Sequence, residues 1–216
     1  MARLGVALSQ DEMTMSVRGT YIWLVGPDGS GKSTLAAGVD PDDSEIVYWR
    51  ASVLPMAKQL IGQSMDSDVN STPHARQPDR AARALARLLY YAVDNVLGYW
   101  FRVRPVVKTG RNIIVDRGWA DMTVDSRRYG FASPRLPRVL MRVLPRPDAL
   151  VVVRVAARTA HERKPELSIE EIERQYRQWD LLHLRGVRKI EIDNECSPHL
   201  AAEQFGRAID DLRSTS

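Results

Sequence analysis

Residues 26–33 read Gly26-Pro27-Asp28-Gly29-Ser30-Gly31-Lys32-Ser33, with Thr34 next, directly behind the apolar run Tyr21-Ile22-Trp23-Leu24-Val25. Glycine at the first and sixth places of a GxxxxGKS pattern lets the main chain curl until successive N–H groups converge on phosphate oxygens, and the helix that follows turns its positive end to the same anion. A strand before and a helix after is the setting that pattern requires. The spacing therefore predicts a phosphate-binding loop formed by Gly26, Asp28, Gly29, Ser30, Gly31, Lys32, Ser33 and Thr34. In it Lys32 would reach the β- and γ-phosphates and the Ser33 hydroxyl would ligate Mg²⁺.

Further polar residues fall where strands end. Asp116 and Arg117 close the β-branched run at residues 112–115, with Asp121 and Asp125 shortly after, and a basic segment carrying Arg158, His161, Arg163, Lys164 and Glu166 follows the next strand. A hard carboxylate suits Mg²⁺, and charge developing on a transferred phosphoryl group needs cations placed around it in advance. Asp116 meets the first requirement as a metal ligand beside Ser33, and Arg158, Arg163 and Lys164 are candidates for the second. Each has a plainer reading, as a structural ion pair, a turn or a solvated helix face. His74 falls in a loop, and the four histidines show no metal-ligand spacing.

The elements that must hold these residues alternate in type. Strands are expected at residues 21–25, 45–49, 112–115, 149–155 and 187–192, and helices at 79–104, 134–144, 168–184 and 198–212, with a short helix from Ser33 to Gly38. Apolar residues Leu85, Leu88, Leu89, Ala92, Val93, Val96 and Leu97 recur at three- and four-residue spacing in the longest helix, and Ser168 with Glu171 forms a capping pair. Residues 50–78 read as a long connection with a helical piece at 56–61. The alternation predicts an α/β fold with a five-stranded parallel sheet flanked by helices. Residues 1–18 read as an N-terminal extension and 19–216 as one domain.

Length and composition agree with that. A chain of 216 residues suits one domain, the single Cys196 precludes an internal disulfide, and no run approaches the length of a membrane span, so a cytoplasmic protein is expected. The net charge is +4, carried by twenty-six arginines and five lysines. That excess leaves DNA open as a partner.

Taken together, the loop at 26–34, the helix containing Leu88-Leu89-Tyr90-Tyr91-Ala92-Val93-Asp94-Asn95, the strand ending Val115-Asp116-Arg117 and the late basic segment resemble thymidylate kinases in order and spacing over residues 21–212. The resemblance implies a P-loop kinase of nucleoside monophosphate kinase type, with a small lid at about 156–168 and a possible homodimer. It also implies ATP with Mg²⁺, Asp28 facing the acceptor, and Asp116 and Arg117 between acceptor and donor phosphates. The implied reaction is phosphoryl transfer to a pyrimidine-type acceptor.

Three departures bear on that acceptor. Where thymidylate kinases usually carry an arginine for the acceptor's phosphate this chain has Asn95, Gly118 replaces the Tyr or Phe after the Asp-Arg pair, and the usual Ala-Tyr-Gln stretch is missing. Residues 121–130, with Trp49-Arg50 and Leu54-Pro55, resemble a thymidylate-kinase-like branch that includes proteins linked to glycan synthesis. A phosphate acceptor chiefly needs cations, whereas an alcohol profits from a base. The alternatives are a hydroxymethylated pyrimidine in phage DNA, a sugar or glycan hydroxyl, and a nucleotide-dependent switch.

Overall fold

The computed structural model describes residues 18–54, 81–195 and 197–215. His74, the helical piece expected at 56–61 and nearly all of the extension at 1–18 lie outside the described residues. Five strands, β1 (Tyr21–Val25), β2 (Ser44–Tyr48), β3 (Asn112–Asp116), β4 (Ala149–Arg154) and β5 (Arg188–Asp193), pair in parallel in the order β2-β3-β1-β4-β5. Trp23 lies beside Val115 on one side and Leu150 on the other. Both neighbours of β1 run parallel to it, so the loop after β1 opens at the carboxyl edge of the sheet, where ligands of such sheets gather.

Alternation of side chains divides the core into two layers. Tyr21, Trp23 and Val25 of β1 join Ile113, Val115 and Val152 under the helices α2 (Ala81–Gly98), α3 (Arg104–Lys108), α4 (Gly118–Val124), α5 (Arg135–Met141) and α7 (Ile169–Leu181). Ile22, Leu24, Ile114 and Val151 face the other way, onto α1 (Lys32–Ala37) and α8 (Pro198–Ser214), with Phe205 fully buried between. Helix α6 (Ala157–Arg163) follows β4. The Ser168 hydroxyl accepts from the Glu171 N–H at the start of α7, the expected cap. Among the described residues no helix is long and apolar enough to cross a membrane.

Two helices differ from expectation. The long helix expected at 79–104 stays α-helical only to Gly98, passes through a π-turn at Tyr99–Val103, where the Arg104 N–H donates to the Tyr99 carbonyl, and resumes as α3. Pro105 explains this: it lacks an N–H and its ring would crowd the carbonyl four residues back, which one wide turn relieves. Its apolar residues also divide between two faces. Leu88 and Ala92 meet the sheet while Leu85, Leu89 and Val93 stand exposed, and Arg87, Asp94 and Asn95 are buried instead. Helix α4 was hidden in the polar stretch after Asp116, where Trp119, Ala120, Met122 and Val124 are all buried. It starts at Gly118, whose φ is +60° and where a Cβ would stand 2.8 Å from the Trp23 ring, so the bulky residue usual at that place does not fit.

Candidate active site

The loop after β1 is shaped by three glycines in the left-handed half of backbone space, Gly26, Gly29 and Gly31. Close approach reinforces the choice. A Cβ on Gly29 would lie 2.1 Å from the Ala160 carbonyl oxygen, and one on Gly31 would lie 2.1 Å from Nδ2 of Asn194. Asn194, directly after β5, donates from that Nδ2 to the Ser30 carbonyl at 2.9 Å, so the far edge of the sheet pins the loop. Its carbonyl accepts from Arg163 at 3.5 Å, and the next residue, Glu195, accepts from the Ala156 N–H at 2.5 Å and the Thr159 hydroxyl at 2.7 Å at the start of α6.

Lys32 is buried against the loop and donates to the carbonyl oxygens of Gly26 and Pro27, each at 2.8 Å. Burial, with Arg117 adding to it, lowers its pKa to about 8 against the pull of Asp28, Asp116 and Asp121. Beside it the Ser33 hydroxyl donates to Oδ2 of Asp116 at 3.2 Å, while Oδ1 of Asp116 is buried with no hydrogen-bond partner among the described residues. A hydroxyl and a carboxylate oxygen held side by side, one lone-pair set unmatched, are hard donors of the kind Mg²⁺ takes in company with phosphate oxygens and water. Ser33 and Asp116 therefore fit that ion.

These residues open onto a cleft of about 380 Å³. Gly29, Gly31, Lys32 and Ser33 form one part of its lining, and Asp28, Tyr48, Arg117, Arg128, Lys164 and Glu166 form the rest. Asp28 is the hub of the second group. Arg117 donates to one of its oxygens and Arg128 to the other at 2.6 Å, and Lys164 stands 3.9 Å away. Lys164 also pairs with Glu166 at 3.1 Å. Arg117 adopts φ +89°, rare for a side-chain-bearing residue, and its N–H is fixed by the Leu24 carbonyl at 2.8 Å. Burial opposes its charge, but Asp121 and Asp28 hold its pKa above the ordinary arginine value.

Behind this wall lies a second polar layer. Asp121 is buried, accepts from the Tyr129 hydroxyl at 2.8 Å and stands 3.6 Å from Arg117; burial raises its pKa. Tyr129 stacks on Trp49 at 5.5 Å between centroids, Tyr91 meets the same indole edge-on at 4.8 Å, and the Arg50 guanidinium lies 4.4 Å from it. Asp94 is fully buried at the centre of the loop after β2, where it accepts from the N–H groups of Val53 and Leu54 and from the Ser52 hydroxyl and pairs with Arg50 at 3.0 Å.

Of the residues read from the pattern, Asp28, Gly29, Gly31, Lys32, Ser33 and Arg117 line the cleft, and Asp116 adjoins it through Ser33. Ser30 is fully buried and Thr34 exposed, Arg163 lies beside Gly31 through Asn194, and Arg158 stands exposed on α6 away from the cleft lining. Asp125 caps α4 and accepts from the Arg128 N–H. Sequence reasoning missed Tyr48, Arg128 and Asn194, while Lys164, one of its candidate cations, lines the cleft. The available signal was position: Tyr48 and Asn194 sit at or just past the carboxyl ends of β2 and β5, where ligands bind in such sheets.

The fold is the one seen in solved thymidylate kinases. The structure of thymidylate kinase from Candida albicans is similar with a TM-score of 0.60 at 16% sequence identity, covering 91% of this chain and 94% of that one. Thymidylate kinase from Ehrlichia chaffeensis is similar with a TM-score of 0.54 at 13% identity, covering 89% of this chain and 99% of that one. No family model and no curated protein matches the sequence.

Proposed function

We propose that this protein transfers the γ-phosphoryl group of ATP to a small acceptor of pyrimidine type held in the cleft beside Asp28. The observation that carries the reading is the arrangement of Lys32, Ser33 and Asp116 around the mouth of a glycine-shaped loop, open to the same cleft as a carboxylate gripped by two guanidiniums. The similarity to thymidylate kinase structures supports it at the level of fold.

Each residue then has a task. Lys32 exchanges its two carbonyl partners for phosphate oxygens, and the loop's inward N–H groups share the same charge. Ser33 and Asp116 would hold Mg²⁺, which would supply positive charge against that of the phosphates. Asp28 receives the acceptor's reacting group, kept in place by Arg117 and Arg128. Lys164, and Arg163 reaching in along Asn194, supply positive charge from the segment at 156–168, which acts as the lid. The ring of Tyr48, 65% exposed and lining the cleft, offers a flat face for a base. Arg158 is assigned no role at the reacting atoms.

Lys32→Ala is expected to lower γ-phosphoryl transfer by about a hundredfold or more, the usual scale for removing a charge that stabilises a transition state. Its circular dichroism and melting temperature should match wild type. Calorimetry that finds no uptake of ATP by folded wild-type protein in the presence of Mg²⁺ would sink the assignment.

A further inference from the structure

Residues 126–147 hold six arginines and no Asp, Glu or Lys, a charge of +6 where the whole chain carries +4, so the rest of the sequence is slightly acidic on balance. Arg128 turns inward to Asp28 in the cleft, and the other five are exposed. Most of the run is α5 and the turn that prolongs it, where the Val143 and Leu144 N–H groups both donate to the Leu140 carbonyl.

Helical spacing sorts this stretch into three stripes. Pro137, Met141 and Leu144 are buried and fasten it to the core. Arg135, Arg138, Arg142 and Arg146 recur every three or four residues on the opposite, exposed side. Next to them Leu136, Val139 and Val143 form an apolar stripe that is exposed too, Val143 to 77%. Across the arginines Leu181, 74% exposed at the end of α7, borders the same hollow of about 250 Å³ as Arg138 and Arg142. Arg138 donates to the Thr123 carbonyl and the Gln178 amide oxygen, and Arg146 to the carbonyls of Arg142 and Arg185. Those partners are neutral, so they orient the two guanidiniums without cancelling their charge.

Single exposed aliphatics are ordinary, but a surface helix in water keeps its outer side polar. Here four aliphatic side chains flank one row of cations. A second copy of the chain would set arginine against arginine across a two-fold contact. Nucleic acid would satisfy the cations, yet its bases stack on aromatic rings, and these four residues have none. Hydrocarbon beneath a layer of anions answers both parts of the surface. The aliphatic side chains leave water while the guanidiniums meet phosphate and carboxylate groups beside them. Lipid headgroups also rearrange, so no fixed register of partner charges is required.

We propose that the outer face of α5, with Leu181, is a docking surface for an anionic lipid bilayer. The contact is peripheral, since among the described residues no helix is long and apolar enough to cross a membrane.

The full chain, without nucleotide, is sedimented with vesicles of phosphatidylcholine alone and of phosphatidylcholine with phosphatidylserine. Wild type should pellet with the charged vesicles and not with the neutral ones, and added salt should release it. Arg135→Gln combined with Arg142→Gln should weaken binding about twenty-five-fold, at about fivefold for each arginine near such a surface. Val139→Ser combined with Val143→Ser leaves the charge untouched and should weaken it by about fivefold or more. Failure of wild type to pellet with charged vesicles, equal retention on neutral ones, or unchanged binding in the arginine pair overturns the proposal. So does unchanged binding in the valine pair, which would leave a general polyanion surface of the kind nucleic acid uses. Should a variant not fold, the contrast between the two vesicle types and release by salt decide on wild type alone. With no nucleotide present, none of these outcomes bears on the kinase reading.

Discussion

Lys32 and Arg117 line the same cleft, yet their partners differ in kind. Lys32 donates to two backbone carbonyls and, among the described residues, to no carboxylate, whereas Arg117 donates to Asp28 and stands within reach of Asp121. A carbonyl is a dipole and leaves the ammonium's charge unmatched, so a phosphate that displaces it gains the full attraction. A carboxylate matches the charge, and an arriving anion would have to compete with it. One wall of the cleft thus carries a cation held by dipoles, the other a cation already held by carboxylates.

Several substitutions would break or sharpen that contrast, beginning with the hundredfold loss expected of Lys32→Ala, which empties the donor side of its unmatched cation. Asp28→Ala should act on stability as well as turnover. Arg117 and Arg128, with side chains 10% and 12% exposed, would face each other without their shared carboxylate. Breaking a buried pair in this way costs about 3–5 kcal/mol, to be read from urea unfolding; a change below 1 kcal/mol would mean the guanidiniums find other partners.

Protonation offers a gentler probe of the same difference. With its pKa lowered to about 8, Lys32 in the nucleotide-free protein is half charged near that pH. Phosphate favours the charged form and returns the pKa upward, so ATP binding at pH 8 should take up about half a proton and at pH 6.5 almost none. Calorimetry in buffers of different ionisation enthalpy measures this, and the uptake should vanish in Lys32→Ala. Smallest is Asn194→Ala, expected to raise the KM for ATP a few-fold by loosening the Ser30 carbonyl; an unchanged KM would make that contact incidental.

What the sequence revealed follows from how local each feature is. The loop at 26–34 was legible because its chemistry requires glycines and a lysine at fixed spacing within nine residues. Asp116 and Arg117 were legible because they end an apolar strand. Arg128 and Lys164 come from segments a hundred or more residues from Asp28 and meet it only through the fold. Nor could periodicity tell which apolar stripe of α2 meets the sheet, as Leu85, Leu89 and Val93 satisfy it as well as Leu88 and Ala92 do. Asn95 drew notice as the missing arginine, while the buried ion pair at that place sits one residue earlier, between Asp94 and Arg50, which lies far off in the chain.

Two consecutive residues past the last strand, Asn194 and Glu195, fasten the loop under the donor on one side and the beginning of α6 on the other. A dipeptide gripping both works as a shared pin, so the glycine-shaped loop and the first turn of α6 are anchored to one point at the end of the edge strand.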